Sequence, residues 1–196
     1  LAALDSDSVP RDGLAVGPFE FDRGGRIEVI PRERPPVRPD PRRLAAYLTM
    51  RKDLRFGRNA IQGSTILVTR ELAEAVPWDE SLPKHQDWDF VIRVASVPDL
   101  EFAWARHPIA IVRKDSISST SKSLNWEASR RWMRQVPLEG RARADFALVH
   151  VFRAALAQRS LRGCFAAVTE ARAFPHAAAV VVALSGLAHT VRRRAK

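Results

Sequence analysis

The chain of 196 residues has a single cysteine and only 22 Asp+Glu against 32 Lys+Arg. Cys164 has no intrachain partner, so a disulfide framework is excluded. One thiol and five scattered histidines also exclude a zinc site of the finger type. No internal repeat is present, which argues against a solenoid or propeller. No charged-then-apolar leader precedes the first motif, and Leu1 rather than Met opens the chain. A fragment, or a chain beginning inside a larger fold, is therefore expected. Long apolar runs are lacking too. Residues 173–191 carry no Asp, Glu, Lys or Arg, but they include Pro175, His176, Ser185, Gly186, His189 and Thr190. A helical span needs about 20 strongly apolar residues, so a packed or interfacial helix is expected there instead.

What is present is 46% hydrophobic residues, enough for a core and too many for a chain disordered throughout. The formal charge of +10 is unevenly spread. Residues 1–100 hold 15 Lys+Arg and 16 Asp+Glu; residues 101–196 hold 17 and 6. A cationic half fits either a solvated basic surface or an anionic partner such as a lipid surface or a phosphorylated small molecule. Nucleic acid is not expected, since the arginines form no stripe interleaved with aromatics and no base-reading module is visible.

The patterning predicts an α/β domain followed by helices. Residues 1–5 read as the end of a buried strand. Residues 14–31 alternate around Gly24-Gly25, predicting a hairpin with arms near 15–21 and 26–30. Five prolines between 31 and 41 make a surface loop. Helical periodicity follows from Pro41 to about Leu54, a strand over 64–69, a short helix over 70–76 and helical turns over 87–94. Strands are expected at 102–104 and 109–112. A Ser/Thr/Lys loop follows at 115–123, then helices near 125–135, 140–158, 160–173 and 177–192.

Three segments carry candidate chemistry. Asp5 and Asp7 stand at i and i+2 after an apolar run, so both carboxylates can face one spot at a strand end. Two hard oxygen donors there suit Mg²⁺ or Mn²⁺; an Asx-type turn is the alternative. In Gln86-Asp87-Trp88-Asp89 through Arg93, Asp87 is either a helix cap or a general base at a pocket mouth. Trp88 offers a flat wall for a sugar, and Asp89 and Arg93 are spaced for a surface pair. Arg113 to Lys122 joins cations and hydroxyls that can hold a diphosphate or form an exposed loop.

Taken in order, these segments resemble the second half of a family 2 glycosyltransferase of GT-A fold. The similarity rests on Leu4-Asp5-Ser6-Asp7, on Gln62-Gly63-Ser64 through Arg70, on Trp78-Asp79-Glu80-Ser81-Leu82 and on Gln86-Asp87-Trp88-Asp89 with Arg93. It implies an incomplete GT-A (nucleotide-diphospho-sugar transferase-like) mixed sheet with helices over 1–135, and a helical C-terminal extension over 136–196. It also implies inverting transfer of a sugar from a nucleotide-sugar donor to the hydroxyl of a glycan or lipid-linked acceptor, in cell-surface polysaccharide or glycan synthesis. Asp5 and Asp7 would hold the divalent cation, Asp87 would be the base, and Gly63, Ser64, Gln86 and Trp88 would line the substrate site. Arg113, Ser116 and Ser118 would close over the diphosphate. The family's base-binding strands have only four residues to occupy before Asp5, so a truncated chain, inactive alone, is expected. The motif Gln-x-x-Arg-Trp of processive members is absent, because Ala128 stands where the Gln would be. A cytoplasmic location at the inner face of a membrane would suit such an acceptor. The alternative is a non-catalytic remnant or module docking on a membrane surface or partner protein.

Overall fold

The computed structural model describes residues 13–38, 40–55, 57–113 and 124–187. Within them the chain is mixed α/β, with two small mixed sheets and a run of helices after residue 124. It divides into two compact units that interleave in sequence. The first takes the described residues of Leu1–Leu44, Gly57–Glu80 and Gln86–Ser118; the second takes those of Ala45–Phe56, Ser81–His85 and Ser119–Lys196. Charge follows this division. The stretches of the first unit hold 14 Lys+Arg and 17 Asp+Glu, and those of the second hold 18 and 5.

In the first unit, β1 (Gly13–Val16) lies between β4 (Ile66–Val68), antiparallel to it, and β5 (Glu101–Trp104), parallel to it. Leu14 and Val16 point into the core. A second sheet sets β2 (Phe19–Asp22) between β3 (Ile27–Ile30) and β6 (Ile111–Arg113). The hairpin β2–β3 turns at Gly24 and Gly25, both with positive φ, and Asp22 Oδ1 accepts the Gly25 N–H at 2.8 Å. The alternation thus places this turn correctly. The single arm expected over 15–21 is instead two strands in different sheets. Pro18 has no N–H for a ladder, and a Cβ on Gly17 would lie 2.7 Å from Ile109.

The strand expected from residue 64 begins only at Ile66. Gly63–Thr65 make one 3₁₀ turn, because the Thr65 hydroxyl donates back to the Gln62 carbonyl at 2.8 Å. Asp40 accepts the N–H groups of Arg42 and Arg43 and starts α1 (Pro41–Thr49), which stops five residues before the expected Leu54. Then come α2 (Arg70–Ala75) and α3 (Gln86–Val94). Phe90, Val91, Ile92 and Val94 bury one side of α3, with Phe90 alone contributing about 2–3 kcal/mol.

The second unit is helical after residue 124. Asn125 caps α4 (Trp126–Gln135) by accepting the Ala128 N–H at 2.9 Å, and Trp126, Trp132 and Met133 are buried. The expected 140–158 helix runs as α5 (Gly140–Phe146), a π segment (Ala147–Phe152) and α6 (Arg153–Ala157). Ser160 caps α7 (Leu161–Glu170), and α8 (Ala177–Leu184) follows. Both α7 and α8 pack on the π segment and on α6. Two buried carboxylates tie the unit together. Asp145 accepts from the backbone N–H groups of Arg51 and His176 and pairs with the His176 ring. Glu170 pairs with Arg130, Arg134 and Arg143. Among the described residues no helix is long and apolar enough to cross a membrane.

Candidate active site at the start of α3

The site is built where the 3₁₀ turn meets the first turn of α3, both in the first unit. The Gly63 N–H faces the Asp87 carboxylate and favours its charged form. One residue on, the Trp88 indole N–H donates to the Ile61 carbonyl at 3.2 Å. Trp88 is thereby fastened to residue 61, and Asp87 lies beside residue 63. The turn itself is fixed from within, as the Gln62 N–H reaches the Thr65 hydroxyl at 3.4 Å and Gln62 Nε2 lies 3.3 Å from the Ser64 hydroxyl.

Burial pushes the Asp87 carboxyl above its ordinary 3.8, although N–H donors of Trp88, Asp87 and Gly63 pull the other way. Helix N-termini normally favour a carboxylate, so at this position desolvation outweighs both the helix field and the hydrogen bonds. A carboxyl adjusted upward in this way is a better proton acceptor than a solvated one. Asp87 also accepts the Trp88 N–H at 3.0 Å, but it stands second within α3 and so is not the cap expected there. Around Gly63 there is open space, with no heavy atom within 4 Å of where a Cβ would stand. A ligand group can approach the Gly63 backbone from this side.

Trp88 is half-buried and tethered by its indole N–H, so it serves as a strut as much as a wall. Sequence reasoning missed a second aromatic, Trp78, which is 39% exposed and stacked on buried Phe90 at 4.3 Å between ring centroids. Its only sequence signal was its place before Asp79-Glu80. Asp89 and Arg93 do pair, at 2.6 Å, but the surface pair expected there has a buried carboxylate. Gln86 is exposed at the start of α3, and Ser64 is exposed in the turn.

Of the remaining candidates, only Arg113 lies within the described residues. Arg113 ends β6 in the other sheet, in register with Asp22. Asp5, Asp7, Ser116 and Ser118 lie outside the described residues. Among the described residues no group of three or more His, Cys, Asp and Glu is placed to hold a metal ion.

A second cluster, in the second unit, was also missed. His85 has a φ of 64°, uncommon outside glycine, and its ring is enclosed by Trp132, Phe146 and His150. The Ser129 hydroxyl donates to the Asn125 carbonyl and stands 3.0 Å from His85 Nε2, which fits a neutral ring carrying its proton there. Burial, and then Lys84, lower His85 to about 3. His150 is lowered as well, by burial first and then by His85 and neighbouring cations. Both rings are thus uncharged aromatic packing at neutral pH.

Comparison of the chain with protein-family models, with curated proteins and with solved structures finds no match.

Proposed function

We propose that the chain is the catalytic and C-terminal portion of an inverting glycosyltransferase of family 2, with a sheet of GT-A type, using a nucleotide-sugar donor. What supports this is the buried Asp87 carboxyl, raised in proton affinity, with the Gly63 N–H facing it. Gly63 and Asp87 come from motifs 24 positions apart and lie near each other, with open space where a Gly63 side chain would stand.

In the proposed reaction an acceptor hydroxyl lies against Asp87. As its oxygen attacks the anomeric carbon, the hydroxyl proton passes to the Asp87 carboxylate, and the nucleoside diphosphate leaves from the opposite face with the bonding electron pair. Inversion follows from that single displacement. Burial raises the proton affinity of Asp87, while the Gly63 and Trp88 N–H groups keep the carboxylate oriented. Trp78, stacked on Phe90, and Trp88 offer apolar surface suited to the C–H faces of a sugar. Asp5 and Asp7 are hard oxygen donors that suit Mg²⁺ or Mn²⁺, which when bound supplies Lewis-acid stabilisation of the diphosphate.

The test is a screen of nucleotide sugars with Mn²⁺ and simple glycan acceptors, using the protein expressed from its complete open reading frame. Transfer or donor hydrolysis by the wild type is expected, and Asp5→Asn and Asp7→Asn should weaken metal-dependent donor binding. No turnover of any donor, or unaltered binding in both variants, contradicts the proposal.

A further inference from the structure

The last two described helices of the second unit are turned the wrong way round for a protein bathed only in water. On α7 the residues packed inward are small, namely Gly163, Ala166 and Ala167, together with Glu170. The large apolar residues of the same helix, Leu161, Phe165 and Val168, are 86%, 72% and 57% exposed. Their spacing of four and three places all three on one stripe. Packing demands the small residues, since a Cβ on Gly163 would stand 2.5 Å from Ala155 and 2.9 Å from Trp126. It does not demand that Leu and Phe face outward. The same inversion recurs on α8, where Ala178, Ala179 and Ala183 are buried while Val181 and Leu184 are more than half exposed. Single exposed apolar residues are ordinary; a contiguous outward stripe marks a surface with a partner.

The charge of the unit indicates which partner. Its stretches hold 18 Lys+Arg against 5 Asp+Glu, and two of those five acids, Asp145 and Glu170, are buried in ion pairs. No acidic side chain lies on the outward stripe of α7, and Arg162 flanks it. Two copies of so cationic a unit repel each other, which disfavours a homodimer through this face. A polyanion such as nucleic acid would satisfy the charge but leave Leu161 and Phe165 wet. An anionic phospholipid surface answers both features, taking the apolar stripe between its acyl chains and the guanidinium groups among its headgroups.

We propose that the second unit docks on anionic phospholipid membranes through the α7 stripe Leu161–Phe165–Val168. This inference is independent of the transferase proposal, because it requires neither donor nor acceptor. The experiment is flotation of the full chain with vesicles of phosphatidylcholine alone, or of phosphatidylcholine mixed with phosphatidylglycerol, at low and high salt. Binding to the mixed vesicles, weakened by salt, is expected, with little binding to pure phosphatidylcholine. The double variant Leu161→Ser/Phe165→Ser should float about tenfold less or lower still, since it loses two large inserting side chains while every arginine remains. Both positions are exposed, so its thermal melting should match the wild type. A second variant, Phe165→Trp, should show a blue-shifted difference emission with mixed vesicles only. No vesicle binding, equal binding by the double variant, or self-association abolished by that variant would each overturn the proposal.

Discussion

The Gly63 N–H faces the Asp87 carboxylate, setting the tight turn before β4 beside the first turn of α3. The carboxyl is desolvated while the Gly63 side is open, so the cost of the one and the use of the other can be measured separately.

Asp87 should cost the fold some stability. Its carboxyl titrates above 3.8 when folded, so the folded state holds the proton more tightly than the unfolded state does. Stability then falls as pH rises from the unfolded value through the folded one. Asp87→Asn removes this penalty. Its melting temperature at pH 7 should equal or exceed that of the wild type, and the difference should shrink as pH drops below 3.8. A variant that melts earlier at pH 7 would contradict the burial of this charge.

Gly63→Val separates folding from access. The Cβ position is open and φ is not in the left-handed region, so the stability change should stay within about 1 kcal/mol. The added methyl groups fill the open space at Gly63, in the proposed substrate site, and a misplacement of reacting groups on that scale costs about 100-fold in rate. Thermal melts and transfer assays on the same preparation check the pair of expectations.

His85 makes acid destabilising. Its folded-state value is about 3 against an ordinary 6.5, so the unfolded state binds the proton first as pH falls. The stabilising neutral form is fully present above 6.5 and is lost as pH drops toward 3. The slope is at most about 1.4 kcal/mol per pH unit for each such histidine, and His150 shifts in the same direction. Urea titrations at pH 4 to 7 should show a shallower slope in His85→Phe.

Glu170 is the common acceptor for Arg130, Arg134 and Arg143. Burial alone would raise its carboxyl, but the Arg143 and Arg134 hydrogen bonds and charges carry it below the ordinary 4.5. Its contribution is present above 4.5 and is lost as pH falls through the lowered value. Removing one partner of a fully buried pair costs about 3–5 kcal/mol, and these guanidiniums keep some solvent, so Glu170→Ala should cost about 1–3 kcal/mol. Denaturant midpoints at pH 7 measure it.

The helices and the β2–β3 hairpin were legible because their signals are local. Apolar spacing marks α3 and α4, and Gly24-Gly25 marks the turn. The break at Gly17-Pro18 was hidden, since alternation of side chains continues across it while the ladder changes sheet. The turn at Gly63–Thr65 was hidden by the strand preference of threonine, which here spends its hydroxyl on the backbone. Asp87 could be singled out from its neighbours, but the approach of Gly63 to it comes from tertiary packing. The enclosure of His85 could not be read at all, because Ser129, Trp132, Phe146 and His150 are 44 to 65 positions away and share no spacing with it. In α7 the helix was legible and its inward face was not: hydrophobicity favours Leu161 and Phe165 inside, and close approach at Gly163 reverses that.

The most direct measurement is the rate of sugar transfer by Asp87→Asn in the protein expressed from its complete reading frame, with Mn²⁺ and a donor the wild type uses. A base of this kind contributes about 100- to 10,000-fold, so the variant should lose that much in kcat while folding as well as the wild type and keeping its affinity for the donor. Full transfer activity in a correctly folded Asp87→Asn protein would contradict the account.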